Sequence, residues 1–224
     1  MVNPFKEMML VFSDWKNSLK DDGRNILYSL IFLAISTTLI YLLLNLSGLY
    51  YFEISDKLLD IIKPMDWSYA FFICWSVPLA LLFIFPLFFR PSEFSKLSFH
   101  LGLVTLFGGL FTLLLPIKSY SDAIPIASQS LPFLSLFPNH IFFSGLVAIP
   151  LVGFWVFKDS KIRWFFFISA IAMATIALCM HQIYSIEVLF AFFLSHSSFV
   201  FGEWLVFKYE NFGKKKEFNN ENLY

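Results

Sequence analysis

Six stretches of this chain are apolar over lengths that suit a bilayer: about 26–50, 67–89, 97–117, 141–157, 162–181 and 184–207. A transmembrane helix needs about 20 mainly apolar residues, so each stretch is expected to form one; the fourth is the shortest and implies little tilt or a start inside a cavity. Transmembrane β-strands would alternate apolar and polar positions over segments of about ten residues. These runs are continuous, so the period excludes a barrel.

Two further segments show helical periodicity outside the spans. Residues 4–20 place Phe5, Met8, Met9, Phe12, Trp15 and Leu19 at helical spacing, with Lys6, Lys16 and Lys20 among the polar positions. That pattern predicts a helix lying in the membrane interface. Residues 54–63 (ISDKLLDIIK) repeat it as a short amphipathic helix ended by Pro64. The loop 117–140 contains Pro125, Pro132 and Pro138 and is too apolar for a solvated linker, so it is expected to pack as a lid. The fold class is therefore all-α: a polytopic membrane protein forming one membrane domain over 1–216. Glu221-Asn222-Leu223-Tyr224 resembles the start of a tobacco etch virus protease site, so 217–224 is read as a cloning and tag remnant.

Composition supports the same class. Of 224 residues, 58% are hydrophobic, 14% are charged and 31 are phenylalanine. A soluble domain of this size could not bury so much apolar surface. Lys plus Arg equals Asp plus Glu, so no basic footprint for nucleic acid is present. Cys74 and Cys179 lie inside apolar runs and read as small hydrophobes. The placement of the cations is more telling than their number. With a cytoplasmic N-terminus, the inner segments hold Lys6, Lys16, Lys20, Arg24, Arg90, Lys96, Lys158, Lys161, Arg163, Lys208, Lys214, Lys215 and Lys216. The outer segments hold only Lys57, Lys63 and Lys118. The positive-inside rule then predicts both termini in the cytoplasm.

Ionisable residues inside spans are costly and each needs a reason. Glu203 is near the inner end of the last span and can snorkel. His196 reads as a packed neutral imidazole bonded to a backbone carbonyl, and His100 as an interfacial residue. His140, His181 and Glu187 all fall at the outer face, where polar groups from two loops could converge. His181 and Glu187 are six apart, which is not a metal-ligand spacing on one helical face, so no metal and no cofactor are expected.

The segment Phe142-Phe143-Ser144-Gly145-Leu146 is similar to the FFSGH motif of the lipid phosphate phosphatase (PAP2) superfamily. Met180-His181-Gln182-Ile183-Tyr184-Ser185-Ile186-Glu187-Val188 resembles the HxHYSIDV motif of its sphingomyelin-synthase-like branch. The resemblance covers spans three to six and matches a six-span topology with both motifs at the outer face. It implies a histidine nucleophile at position 183, a histidine acid at 146 and an orienting aspartate at 187. This chain has Ile183, Leu146 and Glu187 instead. Neither aliphatic side chain has a lone pair or a transferable proton, so the phospho-histidine route cannot run there. Glu187, lacking an imidazole partner, needs a hydrogen bond from Tyr184, Gln182 or His181.

The resemblance thus implies a catalytically impaired relative that keeps a groove for a lipid or other amphiphile, open to the outer leaflet of a bacterial inner membrane and lined by Ser144, Gly145, Leu146, Gln182, Ile183 and Tyr184. Two alternatives stay open. One is an active lipid phosphatase or phosphotransferase with chemistry relocated to His181, His140 and Glu187; His181 could reach the reactive position only from an unwound turn. The other is a structural subunit that packs on a protein partner through its aromatic faces.

Overall fold

Inside a bilayer a backbone must satisfy its own hydrogen bonds, and a helix does so within one segment. The computed structural model describes residues 4–46, 54–117, 120–124 and 143–221, and the regular structure there is helical. In chain order the helices are α1 (Pro4–Leu46), α2 (Lys57–Ile61), α3 (Ser68–Phe89), α4 (Pro91–Leu114), α5 (Phe143–Val156), α6 (Ile162–Cys179) and α7 (Ser185–Glu221). Five of them hold stretches long and apolar enough to cross a membrane: Gly23–Asn45, Ser68–Phe89, Glu93–Leu114, Ile162–Cys179 and Ser185–Val206. The protein is an integral membrane protein embedded through these apolar helices.

Several boundaries differ from those expected. The interfacial segment 4–20 is not a separate helix but the first half of α1, which is unbroken over 43 residues. No proline interrupts 21–25, and a lone Gly23 costs a helix only about 1 kcal/mol. The amphipathic segment 54–63 contracts to the five residues of α2. The stretch expected at 97–117 begins earlier, because Pro91 suits the first helical turn and Arg90 pairs with Glu93 at 2.7 Å. The fourth stretch, 141–157, appears as the 14-residue α5. At 1.5 Å per residue it rises about 21 Å, short of a hydrocarbon core of about 30 Å. The last helix runs far past position 207.

The long helices alternate in direction along the chain, so packed pairs are parallel or antiparallel according to their order. On α4, a side chain at Gly102 would meet Phe32 and Leu33 of α1, and one at Gly109 would meet Ile40. Both partners advance by seven residues, so α1 and α4 run parallel, with Phe32 and Phe99 in ring contact at 5.3 Å. Helix α7 runs antiparallel to α4: His100 lies beside Gly202, while Phe111 stacks on Phe190 at 3.8 Å. Helices α5 and α6 form an antiparallel pair through Phe157–Phe166 and Phe154–Phe167. Helix α3 runs parallel to α5, with Leu82 against Gly153 and Phe85 edge-on to Phe157.

These directions bring Arg90, Lys96, Lys158, Lys161 and Arg163 to one end of the bundle. Segments 56–65, 120–124 and 180–187 meet at the other. The core between is apolar and aromatic, with Phe71, Leu82, Leu97, Leu151, Phe157, Phe166 and Met173 nearly inaccessible.

Candidate functional site

The end opposite the cations is tied together by hydrogen bonds between three loops. Helix α6 stops after Cys179 in a Schellman arrangement. The Gln182 N–H donates to Ala177 O at 2.9 Å and the His181 N–H to Leu178 O at 3.0 Å. His181 takes the left-handed position of this motif, with φ 55°. Glycine is the usual occupant, so the position costs an ordinary residue on the order of 1 kcal/mol. The imidazole offsets that cost by its contacts. Its Nε2–H donates to Ile62 O at 2.9 Å, and its ring meets the edge of Tyr120 at 5.0 Å. A carbonyl only accepts, so the proton sits on Nε2, and Nδ1 has no partner among the described residues. The remaining carbonyls of this helix end are also used. Cys179 O accepts from Met65 N–H at 2.9 Å and Met180 O from Ile124 N–H at 3.0 Å. The Gln182 side chain donates to Ile124 O.

Helix α7 begins at Ser185 and is capped by two carboxylates. Glu187 Oε2 accepts from Tyr184 N–H at 2.8 Å, the reach-back half of a capping box. Asp56 Oδ2 accepts from both the N–H and the Oγ–H of Ser185, at 2.6 and 2.7 Å. The other oxygen of Asp56 accepts from Leu58 N–H at 3.0 Å and caps α2. Burial alone would raise the Asp56 pKa, but hydrogen bonds from Ser185, Leu58 and Leu59 outweigh it and hold the carboxyl below the usual value. Tyr120 O–H donates to Asp60 at 2.6 Å, which pushes the phenol up to about 12. Negative charge beside the positive end of the α7 dipole is favourable in itself.

Most of the expected site residues therefore meet at this end, in positions that build the fold. His181 is 3% exposed, and Gln182, Ile183 and Tyr184 are buried. Ile183, at 1% exposure, belongs to the apolar core, and Leu146 on α5 packs against the same core. Gly145 is buried on α5, and Ser144 is in its first turn. His140 and most of the loop 117–140 lie outside the described residues. The hydrogen bond that Glu187 needs comes from the Tyr184 backbone. The unwound turn that His181 would need exists, yet its imidazole points into Ile62 and Tyr120.

Sequence reasoning missed Asp56, Tyr120 and a second polar cluster. Asp56 carried a readable signal, a carboxylate just before an amphipathic run. The second cluster lies at the basic end. His100, expected at the interface, is 1% exposed and buried between Phe99 and Phe199. Its Nε2 is 3.4 Å from Glu203 Oε1, which also meets Lys96 Nζ at 3.5 Å. The absent side chain of Gly202 makes room for this ring. His196 differs from expectation too: it is exposed, with its ring 4.7 Å from that of Trp155 and no carbonyl bond among the described residues. Among the described residues, no three His, Cys, Asp or Glu side chains come together as a metal site. The chain matches no protein-family model, no curated protein and no solved structure.

Proposed function

We propose that this chain is a non-hydrolytic relative of the lipid phosphate phosphatases that holds a lipid or other amphiphile reached from the outer leaflet. One observation carries the reading: the two positions where the resemblance puts reactive imidazoles hold aliphatic side chains packed into one apolar core, Ile183 within it and Leu146 against it. Two polar groups beside them are engaged in the fold. Nε2 of His181 is held by Ile62 O, and Glu187 orients a backbone N–H where the resemblance has the carboxylate orient an imidazole. Neither Ile183 nor Leu146 can attack phosphorus or protonate a leaving alcohol. An apolar setting penalises a bare phosphate, so the class of ligand that fits is an acyl or isoprenoid chain.

The reading includes six crossings with both termini in the cytoplasm of a bacterial cell and the 56–65, 120–124 and 180–187 end facing the periplasm. Helix α5 makes the short crossing, with the bilayer thinning around it. Single cysteines in a cysteine-free background test this arrangement. A cysteine at Asp159 is expected to react with an impermeant maleimide only after the cells are opened, and one at Lys57 in intact cells. The reverse pattern would overturn the orientation.

Activity is tested by phosphate release from phosphatidic acid in vesicles, beside the triple variant Ile183→His/Leu146→His/Glu187→Asp. The unaltered chain is expected to match protein-free vesicles, and native mass spectrometry to find a retained amphiphile. Turnover that His181→Ala abolishes would establish relocated chemistry and overturn the non-hydrolytic reading. A protein that emerges bare of any amphiphile would remove the ligand from it.

A further inference from the structure

The basic end of the bundle holds two kinds of cation. Arg90 is paired with Glu93 at 2.7 Å, and Lys96 meets Glu203 at 3.5 Å. Lys158, Lys161 and Arg163, all in the connection from α5 to α6, make no ion pair among the described residues. That connection carries one carboxylate, the exposed Asp159. Three cations and one anion leave residues 158–163 with a net charge of +2.

Arg163 is held in place with donors to spare. Its guanidinium lies 4.5 Å from the ring centre of buried Phe154 and 5.3 Å from that of Trp164. Nη1 donates to Lys158 O at 3.1 Å. The Nε–H has no acceptor, and the described residues give the group no other hydrogen bond. A guanidinium presents five N–H donors in a flat fork that matches the oxygens of a phosphate. Next to this fork, one face of α6 is apolar and exposed. Trp164, Ile168 and Ile171 are spaced four and three apart, at 56%, 65% and 45% exposure. The span Ile162–Cys179 starts between Lys161 and Arg163. The cations therefore stand at headgroup depth, and the apolar stripe runs from them into the acyl region.

We infer that the α5–α6 connection and this face of α6 bind an anionic phospholipid of the adjoining leaflet. Its phosphodiester sits on Arg163, Lys158 and Lys161, and an acyl chain lies along Trp164, Ile168 and Ile171. The bilayer already covers the exposed face of α6, so the cations need only select one lipid from its neighbours. A zwitterionic headgroup brings a cation of its own to a place that is already net positive; an anionic one does not. Cationic pockets at the ends of membrane helices recognise phosphate headgroups in this way. A free phosphate would use the fork and leave the stripe unused. An acidic protein would meet the cations but not Ile168 and Ile171, which lie within the span. This site is at the opposite end of the bundle from the amphiphile groove proposed above and needs only that α6 crosses a bilayer.

The test uses the full chain in detergent micelles, with phosphatidylglycerol and phosphatidylcholine of the same acyl chains added in competition. Native mass spectrometry reads the bound lipid. Phosphatidylglycerol is expected to bind in preference. Lys158→Gln and Lys161→Gln, both at exposed positions, should each weaken it about fivefold, the scale of one cation at an anionic surface. Phosphatidylcholine binding should not change. Arg163→Lys keeps the charge but loses the flat fork, and should weaken phosphatidylglycerol as well. Lys96→Gln, at the same end but already beside Glu203, should leave it unchanged. Circular dichroism confirms that each variant is folded. Equal binding of the two lipids would overturn the inference. So would a loss in Lys96→Gln as large as in Lys158→Gln, which marks a count of charges and not a site. Displacement of the lipid by inorganic phosphate would overturn it too, because the acyl chain would then contribute nothing.

Discussion

Replacing Gly109 with alanine is expected to destabilise the protein, although alanine is the better helix former by about 1 kcal/mol. The new Cβ would overlap Ile40 Cγ2 and stand 2.7 Å from both Cδ1 and Cγ1. Real Cβ atoms do not approach so closely, and Ile40 has little room to yield. It is β-branched, stiff at χ1 and 1% exposed. Overpacking of this kind costs about 1–3 kcal/mol, so it outweighs the gain in propensity. Gly109→Leu should do worse and detach α1 from α4 locally.

The double variant separates this account from a general intolerance of the site. Ile40→Ala alone leaves a cavity and should cost about 2–5 kcal/mol. Together with Gly109→Ala the two changes should cost clearly less than their sum, because the new methyl enters the vacated space. Unfolding in mixed micelles with increasing sodium dodecyl sulfate measures all three. A neutral or stabilising Gly109→Ala would mean that α1 does not lie on α4 as described. The same glycine face packs directly on α1, as expected for membrane helices that pack through small residues.

Five of the six expected spans were legible because hydropathy is a local property. Helix α3 begins and ends within a residue of the expected stretch despite Pro78 and Pro86 inside it, since its apolar run is bounded by Asp66 and Arg90. Helix ends were less legible where the helix is polar. The first turns of α4 carry Glu93 and Lys96, and hydropathy does not register them. The same applies to α1, whose amphipathic first half looked separable only because its charges broke the apolar run.

The candidate site divides the same way. That 181–187 lies at one end of the bundle followed from the placement of the cations and the order of the motifs; that Ile183 and Leu146, expected to line a groove, pack on one apolar core did not. That Asp56 binds Ser185 did not, because the two are 129 residues apart and meet only after folding. His100 illustrates the same limit. Its place at the start of the third expected span suggested an interface, while its burial depends on Gly202 and Glu203 of another helix.

Asp56→Ala is expected to be among the most destabilising single changes outside the apolar core. The carboxylate accepts from Leu58 N–H, Ser185 N–H and Ser185 Oγ–H, so its loss uncaps α2 and exposes the start of α7 to unsatisfied donors at once. A lost N-cap costs about 0.5–2 kcal/mol, and hydrogen bonds to a charged group are worth about 1.5–3 kcal/mol each. Since the caps share one buried carboxylate and are not additive, about 3 kcal/mol is expected for Asp56→Ala. Asp56→Asn should cost less, because its one carbonyl oxygen can keep one of the two helices capped. Ser185→Ala, which removes only the hydroxyl, should cost about 1 kcal/mol.

The pH dependence has a definite sign. The folded pKa of Asp56 is lowered, so its contribution is fully present above the unfolded value of about 3.9 and disappears as pH falls through the lower folded value. The stability gap between the unaltered chain and Asp56→Ala should therefore be constant from neutral pH to about 5 and close below 4. A gap that persisted unchanged at the acid end would mean that Asp56 acts by shape rather than charge. Loss of the caps at low pH should also free the loop 180–184, which deuterium exchange at Tyr184 and Ser185 would report. Glu187 caps the same helix from inside, so a sharp acid loss of protection at Ser185 in the unaltered chain, absent in Asp56→Ala, assigns the effect to Asp56.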